Sequence, residues 1–231
     1  MRTLGLIGGM SWESTVEYYR KINELVNKEL GGWNSAKLLL YSLNFEQIVK
    51  FQKEFKWSEL TKILVDAAVK LEKCGAEAIL ICTNTMHKVT PDVKREINVP
   101  IIDIVEVTAK KIRNSGLKRV GLLGTKFTME DGFYHYRLKK YGIDTLTPDS
   151  VDREIVNDII YEELCKGIRS EKSKRTILRV IEKLKQKGAG GIVLGCTELP
   201  LLVNERDSDI TIFDTTKIHC EEAVKFMLGE S

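Results

Sequence analysis

The feature that most constrains this chain is an internal duplication. Leu71-Glu72-Lys73-Cys74-Gly75-Ala76-Glu77-Ala78-Ile79-Leu80-Ile81-Cys82-Thr83-Asn84-Thr85 aligns without a gap to Leu184-Lys185-Gln186-Lys187-Gly188-Ala189-Gly190-Gly191-Ile192-Val193-Leu194-Gly195-Cys196-Thr197-Glu198, at an offset of 113 residues (71 to 184). Each copy reads as a helix end, a Gly-Ala turn, a short apolar strand and a run of small polar residues. The opening Gly5-Leu6-Ile7-Gly8-Gly9 resembles Gly121-Leu122-Leu123-Gly124-Thr125 at an offset of 116 (5 to 121), and Val99–Asp103 resembles Ile210–Asp214 at 111 (99 to 210). Three pairs in the same order at nearly constant spacing predict two similar halves.

Apolar strands alternating with amphipathic helices predict parallel βαβ units. Val65–Lys73 is one such helix and Thr176–Leu184 its partner in the second half. The expected fold class is α/β: two pseudosymmetric α/β domains with mostly parallel sheets and the active site in the cleft between them. The expected boundaries are residues 1–102 with 210–231 for the first domain and 103–209 for the second. Ligands of open parallel sheets bind beyond the carboxyl ends of the strands. The repeat therefore places Thr83 and Cys196 at equivalent stations, reaching one ligand from opposite sides. Inversion of a carbon stereocentre by proton exchange needs such an arrangement, with an acid on one face and a base on the other.

The rest of the sequence narrows the partners. The 231 residues carry 36 Lys and Arg against 33 Asp and Glu, with no basic run, so neither nucleic acid nor a membrane surface is expected. No segment approaches the roughly 20 apolar residues of a membrane span, and the short apolar run at the N-terminus lacks the form of a signal peptide. A cytoplasmic protein is expected. Five scattered cysteines (Cys74, Cys82, Cys165, Cys196, Cys220) with no CxxC pair predict neither a disulfide framework nor a structural zinc site. Gly8-Gly9-Met10-Ser11 fits no dinucleotide or ATP loop, and its glycines instead allow close approach of backbone to a small ligand.

Individual residues carry competing readings. Taken alone, Cys196 is a buried strand-end cysteine and Thr83 a helix N-cap. The repeat raises both to functional candidates. A strand-end cysteine beside backbone N–H donors is expected to favour thiolate. Cys82 pairs with Gly195 in the repeat and, on the alternation of a strand, faces away from Thr83's side. His87, four residues after Thr83, either tunes a proton or lines the pocket, and His135 and His219 read as surface or packing histidines. Lys166–Arg175 reads as a solvated turn and helix start, from which Lys166 or Arg169 could reach a substrate carboxylate.

GGMSWEST (Gly8 to Thr15), CTNTMH (Cys82 to His87) and GCTELP (Gly195 to Pro200) together resemble the aspartate/glutamate racemase family, across essentially the whole chain. The resemblance is nearest to the branch of broad or acidic amino-acid racemases. It implies a two-domain fold, a homodimer, a small acidic amino acid (aspartate or glutamate) as substrate, and a two-base mechanism with no pyridoxal phosphate, metal or other cofactor. By carry-over, Cys196 is the base for the L-form and Thr83 stands on the opposite face. Gly9, Met10, Ser11, Asn84, Thr85, Thr125 and Thr197 are expected to contact substrate, with Gln52 in a loop near its side-chain carboxylate. The chain departs from the family pattern at Thr83, where most members have cysteine. Since a hydroxyl is a far weaker acid than a thiol, an asymmetric enzyme is expected. The alternatives are a catalytically impaired amino-acid-binding homologue, or an enzyme resembling maleate isomerases and hydantoin racemases.

Overall fold

The structure is a computed structural model that describes residues 1–230. The chain divides into two compact units, Met1–Asp103 with the stretch from His219 onward, and Ile104–Ile218. In chain order the first contains β1 (Leu4–Gly8), α1 (Trp12–Leu30), β2 (Leu38–Ser42), α2 (Phe45–Lys53), α3 (Trp57–Lys73), β3 (Ala78–Ile81), a 3-10 turn (Thr85–Val89) and α4 (Thr90–Val93). The second contains α5 (Ile104–Asn114), β4 (Arg119–Gly124), α6 (Lys126–Glu130), α7 (Phe133–Lys139), β5 (Asp144–Leu146), α8 (Ser150–Asp158), α9 (Glu171–Gln186), β6 (Gly191–Gly195) and β7 (Thr211–Asp214). A π-helical turn at Ile159–Glu163 follows α8, and the final helix α10 (Thr215–Leu228) begins in the second unit and ends in the first.

The first sheet runs β2-β1-β3 and the second β5-β4-β6-β7, with every pairing parallel. The duplication is visible in the register. Gly5 is paired with Ile79, which bridges on its other side to Ile101. Gly121 is paired with Ile192, which pairs on its other side with Ile212. These are the residues matched by the three sequence offsets. The same glycines are needed for the same reason: a Cβ on Gly5 would lie 2.8 Å from Ile79 Cδ1 and 3.1 Å from Leu71 Cβ, and one on Gly121 would lie 2.6 Å from Ile192 Cδ1 and 2.9 Å from Leu184 Cδ1. Leu71 and Leu184 are themselves repeat partners, one on α3 and the other on α9.

In the first unit the sheet is covered on both faces, as fully apolar parallel strands require. Leu4, Leu6, Ala78, Leu80 and Cys82 pack with Tyr18, Ile22 and Val26 of α1 and with Ala223, Val224 and Met227 of α10. Ile7, Ile79 and Ile81 pack on the other side with Ile48 of α2 and with Leu60, Leu64, Ala67, Ala68 and Leu71 of α3. In the second unit, Leu123, Ile192, Leu194 and Ile212 pack with Val156 of α8 and with Ile177, Val180, Ile181 and Leu184 of α9. Local signals set the helix limits. The Ser170 side chain caps α9 by accepting from Ser173 N–H, and α1 stops at Gly31 with a positive φ of 68°.

One expected boundary moves. The sequence reading ends the second domain at residue 209, but β7 at Thr211–Asp214 hydrogen-bonds along β6 and so belongs to the second sheet. The chain leaves the second unit at Ile218. No described helix is long and apolar enough to cross a membrane.

Candidate active site

In the first unit the carboxyl ends of β1 and β3 lie side by side, because Ile7 pairs with Ile81 and the Cys82 N–H donates to the Ile7 carbonyl at 2.9 Å. Gly9, at φ +80°, starts the turn into α1; a Cβ there would lie 2.2 Å from the Leu43 carbonyl oxygen, so only glycine fits. The turn is fixed by its neighbours: Gly9 N–H donates to Thr15 Oγ1 at 2.8 Å, and the Thr15 hydroxyl donates to the Ser11 carbonyl at 2.7 Å. Met10 and Ser11 are buried.

After β3 the chain turns at once, with Thr83 N–H donating to the Ile81 carbonyl at 2.8 Å. Cys82 continues the Ala78–Leu80 side of the strand into the apolar cluster beneath α1 and α10, and burial pushes its thiol pKa far up. Thr83, Asn84, Thr85 and His87 are all buried. His87 Nδ1 lies 2.7 Å from the Thr83 carbonyl, which can only accept, so that nitrogen carries the proton. The residue flanking the following 3-10 turn is Asn84, with no side-chain cap, so Thr83 is not a helix cap here. Gln52 lies on α2 rather than in a loop, buried, with its amide nitrogen 3.3 Å from Met86 Sδ.

Of the two readings expected, surface or packing, the structure shows packing for His219. It is fully buried, its Nε2 donates to the Ile102 carbonyl at 2.7 Å, and its Nδ1 accepts from the Tyr18 hydroxyl at 2.8 Å. Burial, then the neighbouring His87, lower its pKa to about 3. The His87 ring stacks edge-on against it, with centroids 5.9 Å apart. This buried chain from Thr83 to Tyr18 had no signal in the spacing of the histidines.

In the second unit Gly124 pairs with Gly195, so Thr125 and Cys196 leave neighbouring strand ends. Thr125 caps α6, its Oγ1 accepting from Thr128 N–H at 3.3 Å. Cys196 is buried, and its thiol donates to Glu198 Oε2 at 2.9 Å; the Thr197 hydroxyl donates to the same oxygen at 3.0 Å. The expectation of a favoured thiolate is corrected here. Burial raises the Cys196 pKa well above its ordinary value, and the Glu198 charge raises it further. A single backbone hydrogen bond from Glu198 works the other way and contributes least. Only a short 3-10 turn, Leu199–Leu201, follows, with no long helix to supply a dipole. The sequence reading did not single out Glu198, although one signal was available: its repeat partner is the neutral Thr85. Lys166 is exposed and paired with Glu162 at 2.5 Å, and Arg169 lies in the exposed turn before α9.

The chain matches the Asp/Glu/hydantoin racemase family over residues 7–223 and belongs to it. It is thereby an isomerase of the racemase type. Its sequence is 26% identical over 229 residues to the broad specificity amino-acid racemase RacX of Bacillus subtilis, covering 98% of each chain. A crystal structure of a candidate Asp/Glu racemase from Yersinia pestis superposes with a TM-score of 0.90 at 51% identity, covering 99% of this chain and 100% of that one. An aspartate racemase homologue from Pyrococcus horikoshii gives a TM-score of 0.86 at 39% identity, with 98% and 99% covered.

Proposed function

We propose that this racemase interconverts the enantiomers of a small acidic amino acid, aspartate or glutamate, by cofactor-independent two-base exchange of the α-proton. Cys196 takes the proton from the L-form, and Thr83 serves the opposite face. The observation that carries this reading is the duplication itself. Thr83 stands just beyond β3 and Cys196 just beyond β6, matched at the repeat offset of 113 (83 to 196), after strands paired the same way. Two acid–base side chains at equivalent stations are what inversion at carbon needs, whereas hydrolysis or phosphoryl transfer has no use for the symmetry.

The surrounding groups suit the charge that develops. The Gly9 N–H and the Thr197 hydroxyl already donate, to Thr15 Oγ1 and Glu198 Oε2, and the neutral groups proposed to hold the substrate are the Met10 and Ser11 N–H groups and the side chains of Asn84, Thr85 and Thr125. Gathered on the substrate's α-carboxylate, they would stabilise the carbanion as an oxyanion hole does. Gln52 offers a neutral amide to the substrate side chain. The reading includes a homodimer.

The two stations are chemically unequal. A thiol has a reference pKa of about 8.5 and a threonine hydroxyl is far weaker, so proton abstraction by Thr83 is the slower half. Initial rates of racemisation measured from each pure enantiomer test this. The L-enantiomer is expected to lose its α-proton faster; equal rates would contradict the assignment. A second reading, a homologue that binds an amino acid without turning it over, is favoured by Thr83 alone. Tight binding with no α-proton exchange would establish it.

A further inference from the structure

We propose that His87 is a positioning residue for Thr83: its imidazole Nδ1–H holds the Thr83 carbonyl and so fixes where the Thr83 hydroxyl points. This rests on the reading of Thr83 as the acid–base group of the second face. Thr83 stands beyond the strand ladder, which ends at the Ile7–Ile81 pair. Its main chain is held by two local bonds, its N–H donating to the Ile81 carbonyl at 2.8 Å and its carbonyl accepting from His87 Nδ1 at 2.7 Å. A threonine hydroxyl lies one rotatable bond from the backbone, and β-branching leaves that bond few settings. The two peptide groups that flank Thr83 therefore aim its oxygen, and His87 secures the second of them.

The imidazole is itself built in. His87 is buried, with its ring edge-on to His219, centroids 5.9 Å apart and planes at 74°. His219 has both nitrogens engaged, accepting from the Tyr18 hydroxyl at 2.8 Å and donating to the Ile102 carbonyl at 2.7 Å. The Ile102 N–H in turn donates to the carbonyl of Ile79, within β3, at 3.0 Å. A closed circuit results, from Thr83 through His87, His219 and Ile102 back to the strand that leads into Thr83. The turn is thereby referred to the sheet and not to its own backbone alone.

The repeat separates this role from a scaffolding one. The offset of 113 matches His87 to Pro200 (87 to 200), and proline has no side-chain donor. Both turns are 3-10, Thr85–Val89 and Leu199–Leu201, so the duplicated architecture forms with or without the imidazole. The donor occurs in the half whose acid–base group is the weaker acid. Such a group depends most on its placement, since a displacement of about 1 Å can cost about 100-fold in rate.

Three proteins test the proposal: wild type, His87→Asn and His87→Leu. Both substitutions remove the ring; asparagine keeps an N–H donor in place of Nδ1, and leucine, of similar shape, has none. Circular dichroism confirms that each is folded. In heavy water with L-aspartate and L-glutamate, two rates are followed: loss of the α-proton signal, which Cys196 alone can support, and formation of the D-form, which also needs Thr83. His87→Leu is expected to slow D-form formation about 10- to 100-fold and loss of the α-proton signal much less, so that their ratio drops. His87→Asn is expected to recover most of that ratio. In a Thr83→Ala background, His87→Leu is expected to add nothing to the loss. A fall of both rates together in His87→Leu, with the ratio unchanged, would overturn the proposal and leave His87 a packing residue; so would equal ratios in the two variants. Nitrogen-15 NMR of the wild-type histidines gives a reading that needs no variant: His87 is expected to carry its proton on Nδ1, and a ring protonated on Nε2 alone would overturn the proposal. If wild type exchanges no α-proton, the racemase reading fails separately, and the Asn84 amide, which shares a peptide group with the Thr83 carbonyl, decides the tether. Its proton resonance is expected to move in His87→Leu and to stay nearer wild type in His87→Asn, and identical shifts in the two would sink it.

Discussion

The Tyr18 hydroxyl donates to Nδ1 of His219 across 2.8 Å, tying α1 to α10 through a histidine with no access to solvent. With Nε2 donating to the Ile102 carbonyl, the ring is held neutral, and its pKa falls to about 3. A pKa depressed on folding means that the unfolded chain binds the proton more readily. The stability from this group is therefore complete above about pH 6.5, the unfolded value, and is lost as pH falls toward 3. Over that window the loss is on the order of several kcal/mol. His219→Phe is expected to destabilise the protein by about 1–3 kcal/mol at pH 7, by removing buried hydrogen bonds to the Tyr18 hydroxyl and the Ile102 carbonyl. It should also flatten the acid limb between pH 6.5 and 4. Urea midpoints across pH check this, and parallel curves for the two proteins would contradict it.

Thr83→Cys replaces the weaker acid–base group by a stronger one at the station where β3 ends. The rate from the D-enantiomer is expected to rise by about tenfold or more, since the thiol ionises near pH 8.5 and a hydroxyl hardly at all. The rate from the L-enantiomer should change less. Paired initial-rate measurements check the ratio, and an unchanged ratio would mean that Thr83 does not face the α-carbon.

Cys82 is the rival thiol one residue earlier, packed among Leu4, Leu6, Tyr18 and Cys220. Cys82→Ser places a hydroxyl in that apolar cluster and is expected to cost about 1–3 kcal/mol of stability. Exchange activity per folded molecule should stay within about twofold of wild type. Loss of activity with stability intact would move the chemistry to Cys82.

The paired glycines make a graded prediction. At Gly121 the two closest atoms an added Cβ meets are Cδ1 of Ile192 and of Leu184, the far ends of flexible side chains, with the Leu184 Cβ further off at 3.3 Å. At Gly5 it meets the Cβ atoms of Ala76 (2.9 Å) and Leu71 (3.1 Å), which cannot rotate away. Both alanine substitutions should destabilise, by about 1–3 kcal/mol or more, and Gly5→Ala the more severely. Thermal unfolding midpoints rank them, and the opposite order would contradict the packing described.

Much of the fold was legible because the duplication constrains register. The matches of Gly5 to Gly121, Ile79 to Ile192 and Ile101 to Ile212 are at once the sequence repeat and the strand pairing. The boundary at residue 210 was misjudged even though the repeat contained the answer. Residues 210–214 correspond to 99–103, which lie beside β3, so their counterparts belong beside β6. Another repeat pair, Thr15 and Thr128 at the same offset of 113, emerged only from contacts: each would meet a Cβ placed on the glycine ending β1 or β4, at 2.5 Å for Gly8 and 3.0 Å for Gly124. The station of Cys196 could be read from the sequence, but its electrostatics could not. Strand-end geometry suggested donors, and the donors count for less than burial and one carboxylate two residues on. The His87–His219–Tyr18 chain includes a bond between residues 201 positions apart, Tyr18 and His219, where no local pattern reaches.

The most direct test of the central claim is proton NMR of the purified protein with L-aspartate and, separately, L-glutamate in heavy water without added cofactor, compared with Cys196→Ser. The account predicts loss of the α-proton signal with accumulation of the D-form in wild type, and no exchange when Cys196 is replaced. Exchange that survives Cys196→Ser, or its absence from wild type with both substrates, would contradict it.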